Sequence, residues 1–197
     1  MLKKFFVSAV SAAILLVGTV GGYDSAHAAG AAPTAIVRDN LSKYGLKKDV
    51  ELPVTVTSGG LSYTLEKIMI FDSTSSEVKQ LKKLYGFQDT GYLYTNPKYF
   101  IWTKMTLSNN TKQVLTGSGN TIANTIYLSF QDGQMLDPIW PMNKRTKTND
   151  PEALWGYSLA PGQKVTSYLG YGYNGSFNYF AFRMFFGGYV EKYVVKQ

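Results

Sequence analysis

No cysteine occurs in the 197 residues, and the single histidine, His27, lies within the first thirty. Without thiol or imidazole there is no Ser-His-Asp triad, no cysteine nucleophile and no imidazole acid–base group. The zinc, copper and iron sites usually built from those ligands are excluded on the same ground. No disulfide can staple the fold, so stability must come from a hydrophobic core. Long apolar runs are also missing beyond the N-terminus. No phosphate-cradling glycine loop, EF-hand loop or dinucleotide fingerprint occurs. No cofactor is expected.

The N-terminus has the order of a secretory leader: Lys3 and Lys4, an uncharged apolar stretch over 7–20, then Ala26-His27-Ala28 as a small-x-small cleavage site. A stretch of about 14 residues rises only about 21 Å, short of a ~30 Å hydrocarbon core, which argues for a cleaved leader rather than an anchor. The expected organisation is a signal peptide over 1–28, an N-terminal tail or frayed helix over 29–48, and one β-domain over 49–197. Cleavage after Ala28 removes His27 and leaves 169 residues, room for one sizeable core. Losing Lys3, Lys4 and Asp24 takes the formal charge from +7 to about +6. This basic balance favours anionic partners outside the cell, such as cell-wall polymer, or an acidic protein or peptide; nucleic acid is not expected. Two modest clusters stand out, Lys79-Lys82-Lys83 and Lys144-Arg145-Lys147.

Two catalytic routes survive the missing histidine. A carboxylate pair would need two acids flanking a scissile bond. The candidates Asp132-Gly133, Asp137-Pro138 and Asp150-Pro151-Glu152 read first as turns, or, for Asp150, as the cap of a short helix. A Ser–Lys pair is suggested by Ser76-Glu77-Val78-Lys79, but its companion strings are missing. The same residues form an amphipathic helix over about 75–85, capped by Ser75 or Ser76, with Val78, Leu81, Leu84 and Tyr85 on one face.

The rest reads as β. Strands are expected over 51–57, 61–71, 99–107, 122–130 and 189–195. In the second, Tyr63, Leu65, Lys67, Met69 and Phe71 share a face. In the third, Ile101, Thr103, Met105 and Leu107 oppose Phe100, Trp102, Lys104 and Thr106. Asn174-Gly175 predicts a two-residue hairpin joining 164–173 to 176–186, with Gly172 facing Phe177 and Gly170 facing Tyr179. Seven or eight short strands with turn signals between them argue an all-β sandwich or barrel. Residues 137–156, with three prolines and much charge, read as an extended loop carrying Trp140 and Trp155. If an aromatic site exists, Trp140 and Trp155, with Tyr157 beside them, are the ligand-binding candidates.

The string over 99–111, YFIWTKMTLSNNT, resembles the central strand and Asn-x-Thr/Ser turn of a large bacterial family of exported and lipoprotein-linked immunoglobulin-like domains. Leu159-Ala-Pro-Gly-Gln-Lys-Val165 resembles that family's second hallmark, a leucine, then proline-glycine, then a sheet strand. The likeness spans about 50–187 and implies an immunoglobulin-like β-sandwich without catalytic residues. The helix near 75–85, the long loop 137–156 and the absence of a lipid-anchoring cysteine depart from the pattern. The expectation is a secreted, non-enzymatic binding or accessory module of the Gram-positive exterior, extracellular or associated with the cell wall, with no stable membrane insertion after cleavage. A carbohydrate-binding or carboxylate-pair carbohydrate-active protein is the alternative. A secreted membrane-active protein or toxin is the third reading.

Overall fold

The computed structural model describes residues 39–197; the expected leader and the first half of the expected tail lie outside the described residues. Among the described residues the chain forms eleven strands, all paired antiparallel. Strands β1 (Val54–Ser58), β2 (Leu61–Asp72), β3 (Tyr99–Asn109), β7 (Asp137–Ile139) and β9 (Lys164–Tyr173) form one sheet in the order β1-β2-β3-β9-β7. Strands β5 (Ile126–Gln131), β6 (Gln134–Met135), β10 (Phe180–Phe185) and β11 (Tyr189–Val195) form a second, ordered β11-β10-β5-β6. A third pair joins β4 (Leu115–Ser118) to β8 (Gly156–Leu159). The inner faces of the two large sheets share one core, in which Tyr63 meets Phe182 at 5.7 Å between ring centroids and Phe130 meets Tyr173 at 5.3 Å. The described residues form a mostly β sandwich of antiparallel sheets, with no barrel closure among them.

The outer face of the five-stranded sheet carries a second core. Helix α1 (Ser76–Tyr85) begins at Ser75, whose hydroxyl accepts from the Val78 amide at 3.3 Å, and lays Val78, Leu81 and Tyr85 on Phe100 and Trp102. Leu84, expected on that face, is 38% exposed, because the 100° step per residue carries it past the contact. β3 divides as its alternation predicts: Ile101, Met105 and Leu107 enter the inter-sheet core, and Phe100 and Trp102 enter the outer one.

The structure corrects several expectations. β2 carries a bulge at Glu66, since Leu65 pairs with Met105 but Lys67 pairs with Lys104. The extra residue reverses the phase, so Leu61, Tyr63 and Leu65 face the inner core before it and Ile68 and Ile70 after it, while Phe71 turns outward. Residues 122–125 are not strand but the end of a short helix, α2 (Gly119–Thr125). The expected 137–156 loop contains strand β7 and a 3-10 turn (Met142–Lys144). The expected frayed helix is represented, within 39–48, by a single 3-10 turn (Leu41–Tyr44), tied down where the Asn40 amide donates to the Ile70 carbonyl and its Oδ1 accepts from the Ile70 amide.

The largest correction concerns Asn174-Gly175. β9 and β10 do not pair with each other; residues 174–179 cross from one sheet to the other. The side-chain partners of Gly170 and Gly172 come from elsewhere. Gly170 pairs with Trp102 and lies under Phe100 and Phe87, where an added Cβ would sit 2.9 Å from the Phe100 ring. Gly172 pairs with Phe100 and lies under Pro97 and Ile139. The glycines do lie beneath large side chains, but those of the outer core.

Candidate functional site

Residues 86–98 link α1 to β3 and fold back on themselves. The Gly91 amide donates to the Tyr94 carbonyl at 2.9 Å, and Thr90 bridges Thr95. Their position is fixed from across the chain by Asp137, the first residue of β7, whose side chain is buried against the loop. Asp137 Oδ1 accepts from the Tyr92 amide at 3.0 Å, and Oδ2 accepts from the amides of Leu93 and Tyr94 at 2.7 and 2.9 Å. Three consecutive backbone donors converge on one carboxylate. Gly91 makes this approach feasible, since a Cβ there would lie 2.6 Å from Asp137 Cγ. Burial and the Asp137 charge hold the Tyr94 phenol above its ordinary value, and its hydroxyl donates to the Met135 carbonyl at 3.4 Å.

With its amides turned inward, the apex presents its side chains to solvent: Tyr92 is 96% exposed and Leu93 49%. They form one wall of a groove of about 610 Å³. α2 forms another through Asn120, Ala123 and Asn124, and the rest is lined by Tyr127, Met135, Trp140 and Met142. The lining is mostly apolar, and its neutral polar side chains include the amides of Gln88, Asn120 and Asn124, the hydroxyl of Thr90 and the phenols of Tyr92 and Tyr127. Asp137 is the only carboxylate among the described lining residues, and its oxygens are occupied by the loop amides.

The sequence-predicted aromatics separate here. Trp140 and Trp155 are brought together edge to face, 5.8 Å between centroids at 72°. Trp140 lines the groove and backs onto Gly119, while the Arg145 guanidinium lies over the Trp155 ring at 5.5 Å. Tyr157 does not belong with them as a contact residue. It is 2% exposed, packs beneath Gly117 and has its phenol pushed up by burial, so its ring serves the core.

The acids of the 150–152 turn are committed to structure. Lys144 Nζ reaches Glu152 Oε2 at 2.5 Å and Asp150 Oδ2 at 3.3 Å. Asp150 Oδ1 accepts from the amides of Glu152 and Ala153, closing a turn rather than capping a helix. Burial pushes the Asp150 carboxyl up, but those amides and the Lys144 ammonium outweigh it and hold it below its ordinary value.

No protein-family model matches the chain, and no curated protein sequence matches it. Among solved structures it is similar to the crystal structure of the yjhA protein from Bacillus subtilis. The two are 14% identical over 68% of this chain and 80% of that one, with a TM-score of 0.45.

Sequence reasoning missed the groove's main organiser. Asp137-Pro138 reads as a turn and Gly91-Tyr92 as loop, and the bonds between them span 43 to 45 residues. The available signal was a glycine preceding adjacent apolar residues in a loop, a pattern that asks what holds the loop still.

Proposed function

We propose that this chain is a secreted, non-enzymatic binding module of the Gram-positive exterior, built on an immunoglobulin-like sandwich and working through the groove beside residues 88–93. The observation that carries the reading is the groove's construction. A carboxylate fixes the backbone of one wall, while exposed Tyr92, Leu93, Met135 and Met142 are left facing its opening. Its volume lies within the roughly 300–1,000 Å³ of ordinary ligand sites, with an apolar lining and few polar groups. The methionines suit an adaptable apolar contact. Preorganising the loop removes an ordering cost from binding.

Two further observations support binding rather than turnover. The sequence beyond the leader carries no histidine or cysteine. The groove's single carboxylate already accepts three amide bonds, leaving no acid paired with it for glycoside chemistry. The leader's charge, apolar and cleavage order supports secretion.

The test is retention on envelopes isolated from the producing cells, comparing wild type with Ala123→Glu, which places a carboxylate in the groove. Retention of the wild type and its loss in the variant are expected. Equal retention of both, or release of soluble envelope fragments by the protein, would contradict the reading.

A further inference from the structure

We propose that the groove rim docks on an anionic lipid bilayer, with the Tyr92–Leu93 apex entering the headgroup layer and a cationic corner beside it meeting lipid phosphates. This names the partner of the site described above and rests on that reading. Of eight large apolar side chains exposed among the described residues, Tyr92, Leu93, Met135 and Met142 line the groove. Two more continue from it, because Tyr127 in the groove wall contacts exposed Phe185 at 5.3 Å and Phe185 contacts exposed Tyr189 at 4.9 Å. Continuous exposed apolar surface of this kind marks a protein-binding or membrane-binding face.

Charge selects between partners. The Asn143 side chain donates to the Leu84 carbonyl at 3.1 Å, so the two lysine clusters, more than sixty residues apart in sequence, meet at one corner next to Met142. Three of the acids here are already matched, Asp89 with Lys82 and Asp150 and Glu152 with Lys144, which leaves Glu77, in the first turn of α1, against the free cations. Lys79, Lys83 and Lys147 are exposed and form no ion pair among the described residues, and Arg145 is exposed over Trp155. A second copy of the chain would bring the same cations, and like charges oppose that contact; an anionic surface attracts them. The apex itself favours lipid over an acidic protein. Its three amides are turned inward to Asp137, so it offers a partner's backbone no free donor there, whereas satisfied amides are what an apolar environment requires. Tyrosine is suited to the boundary between headgroup and acyl chain.

The experiment is vesicle sedimentation of the protein as its host processes it, with the N-terminus verified by mass spectrometry and folding of each variant by circular dichroism. Vesicles are phosphatidylcholine alone, or phosphatidylcholine with about a third phosphatidylglycerol. Preferential binding to the anionic vesicles, weakened by salt, is expected. Tyr92→Ser with Leu93→Ser should lower the partition coefficient at least tenfold. Lys83→Gln, Arg145→Gln and Lys147→Gln together should lower it about a hundredfold on anionic vesicles, at roughly fivefold per cation, and little on neutral ones. Val114→Ser, an exposed apolar change beyond the other end of β3, should have no effect. Equal partition on both vesicles, indifference to the apex change, or no vesicle binding would overturn the proposal. Envelope retention that persists without vesicle binding, is blocked by Ala123→Glu and is abolished by protease treatment of the envelopes would overturn it in favour of an acidic protein partner. That outcome leaves the binding-module reading standing. Loss of both retention and vesicle binding would remove both.

Discussion

A carboxylate surrounded by three peptide N–H groups exchanges its hydration for charge-assisted hydrogen bonds, and removing it strands the donors. Asp137→Ala should therefore cost more than an ordinary surface truncation, about 3 kcal/mol in denaturant unfolding. Hydrogen exchange at the amides of Tyr92, Leu93 and Tyr94 should accelerate selectively. An unchanged exchange pattern at those amides would show that the loop is held by something else. Gly91→Ala should give the same local signature, since the added methyl occupies space the carboxylate needs. At this scale the sequence was only half legible. Trp140 and Trp155 do come together, but Tyr157 is core, because pairing of β8 with β4 turns that ring under Gly117. Nothing local distinguishes a tyrosine that fills a gap from one that faces a ligand.

Among the elements, α1 was legible to within a residue, because its cap and its buried stripe are both written locally. Ser75→Ala should destabilise the protein by about 1 kcal/mol, read as a shift in denaturant midpoint without a change in slope. A null effect would mean that packing on Phe100 and Trp102 alone defines the helix start. β3 was legible for a similar reason: both its faces are buried against different cores, and each reads in alternation. β2 was legible in extent but not in phase. One extra residue at Glu66 exchanges its faces, and the insertion is set by the partner strand, with Thr106 donating to the Glu66 carboxylate at 2.9 Å. The Asn174-Gly175 hairpin failed because a turn signal specifies that the chain reverses, not which sheet it reverses into. Gly170 and Gly172 are taken up by Phe87, Phe100, Pro97 and Ile139 on the outer face, so β9 completes the five-stranded sheet and β10 joins the other. β7, three residues with a proline, lacked the length to be recognised, yet it supplies the residue that builds the site.

At the scale of the described residues, two large sheets, one two-stranded pair and no disulfide leave the core and a few ion pairs to set stability. The Lys144–Asp150–Glu152 cluster pins the 142–156 segment and gives it a pH dependence. The folded Asp150 carboxyl lies below its unfolded value, so its contribution is present above about pH 4 and fades as pH falls through the folded value. Lys144 is raised, chiefly by its bond to Glu152, so its contribution is full below the unfolded lysine value of about 10.4 and is lost as pH rises through the higher folded value. Asp150→Asn should flatten the acid limb of a stability–pH curve relative to wild type; parallel curves would exclude the cluster from acid unfolding. The arrangement also joins stability to the groove, since the segment it pins carries Met142 into the groove, Trp155 against Trp140 and Arg145 over Trp155. The most direct test of the central claim is a hydrogen-exchange footprint of the protein bound to isolated envelopes. New protection should appear across 88–94 and 120–142, the walls of the groove. Protection confined to the β1 or β11 edges, or none anywhere, would contradict the assignment of this groove as the working surface.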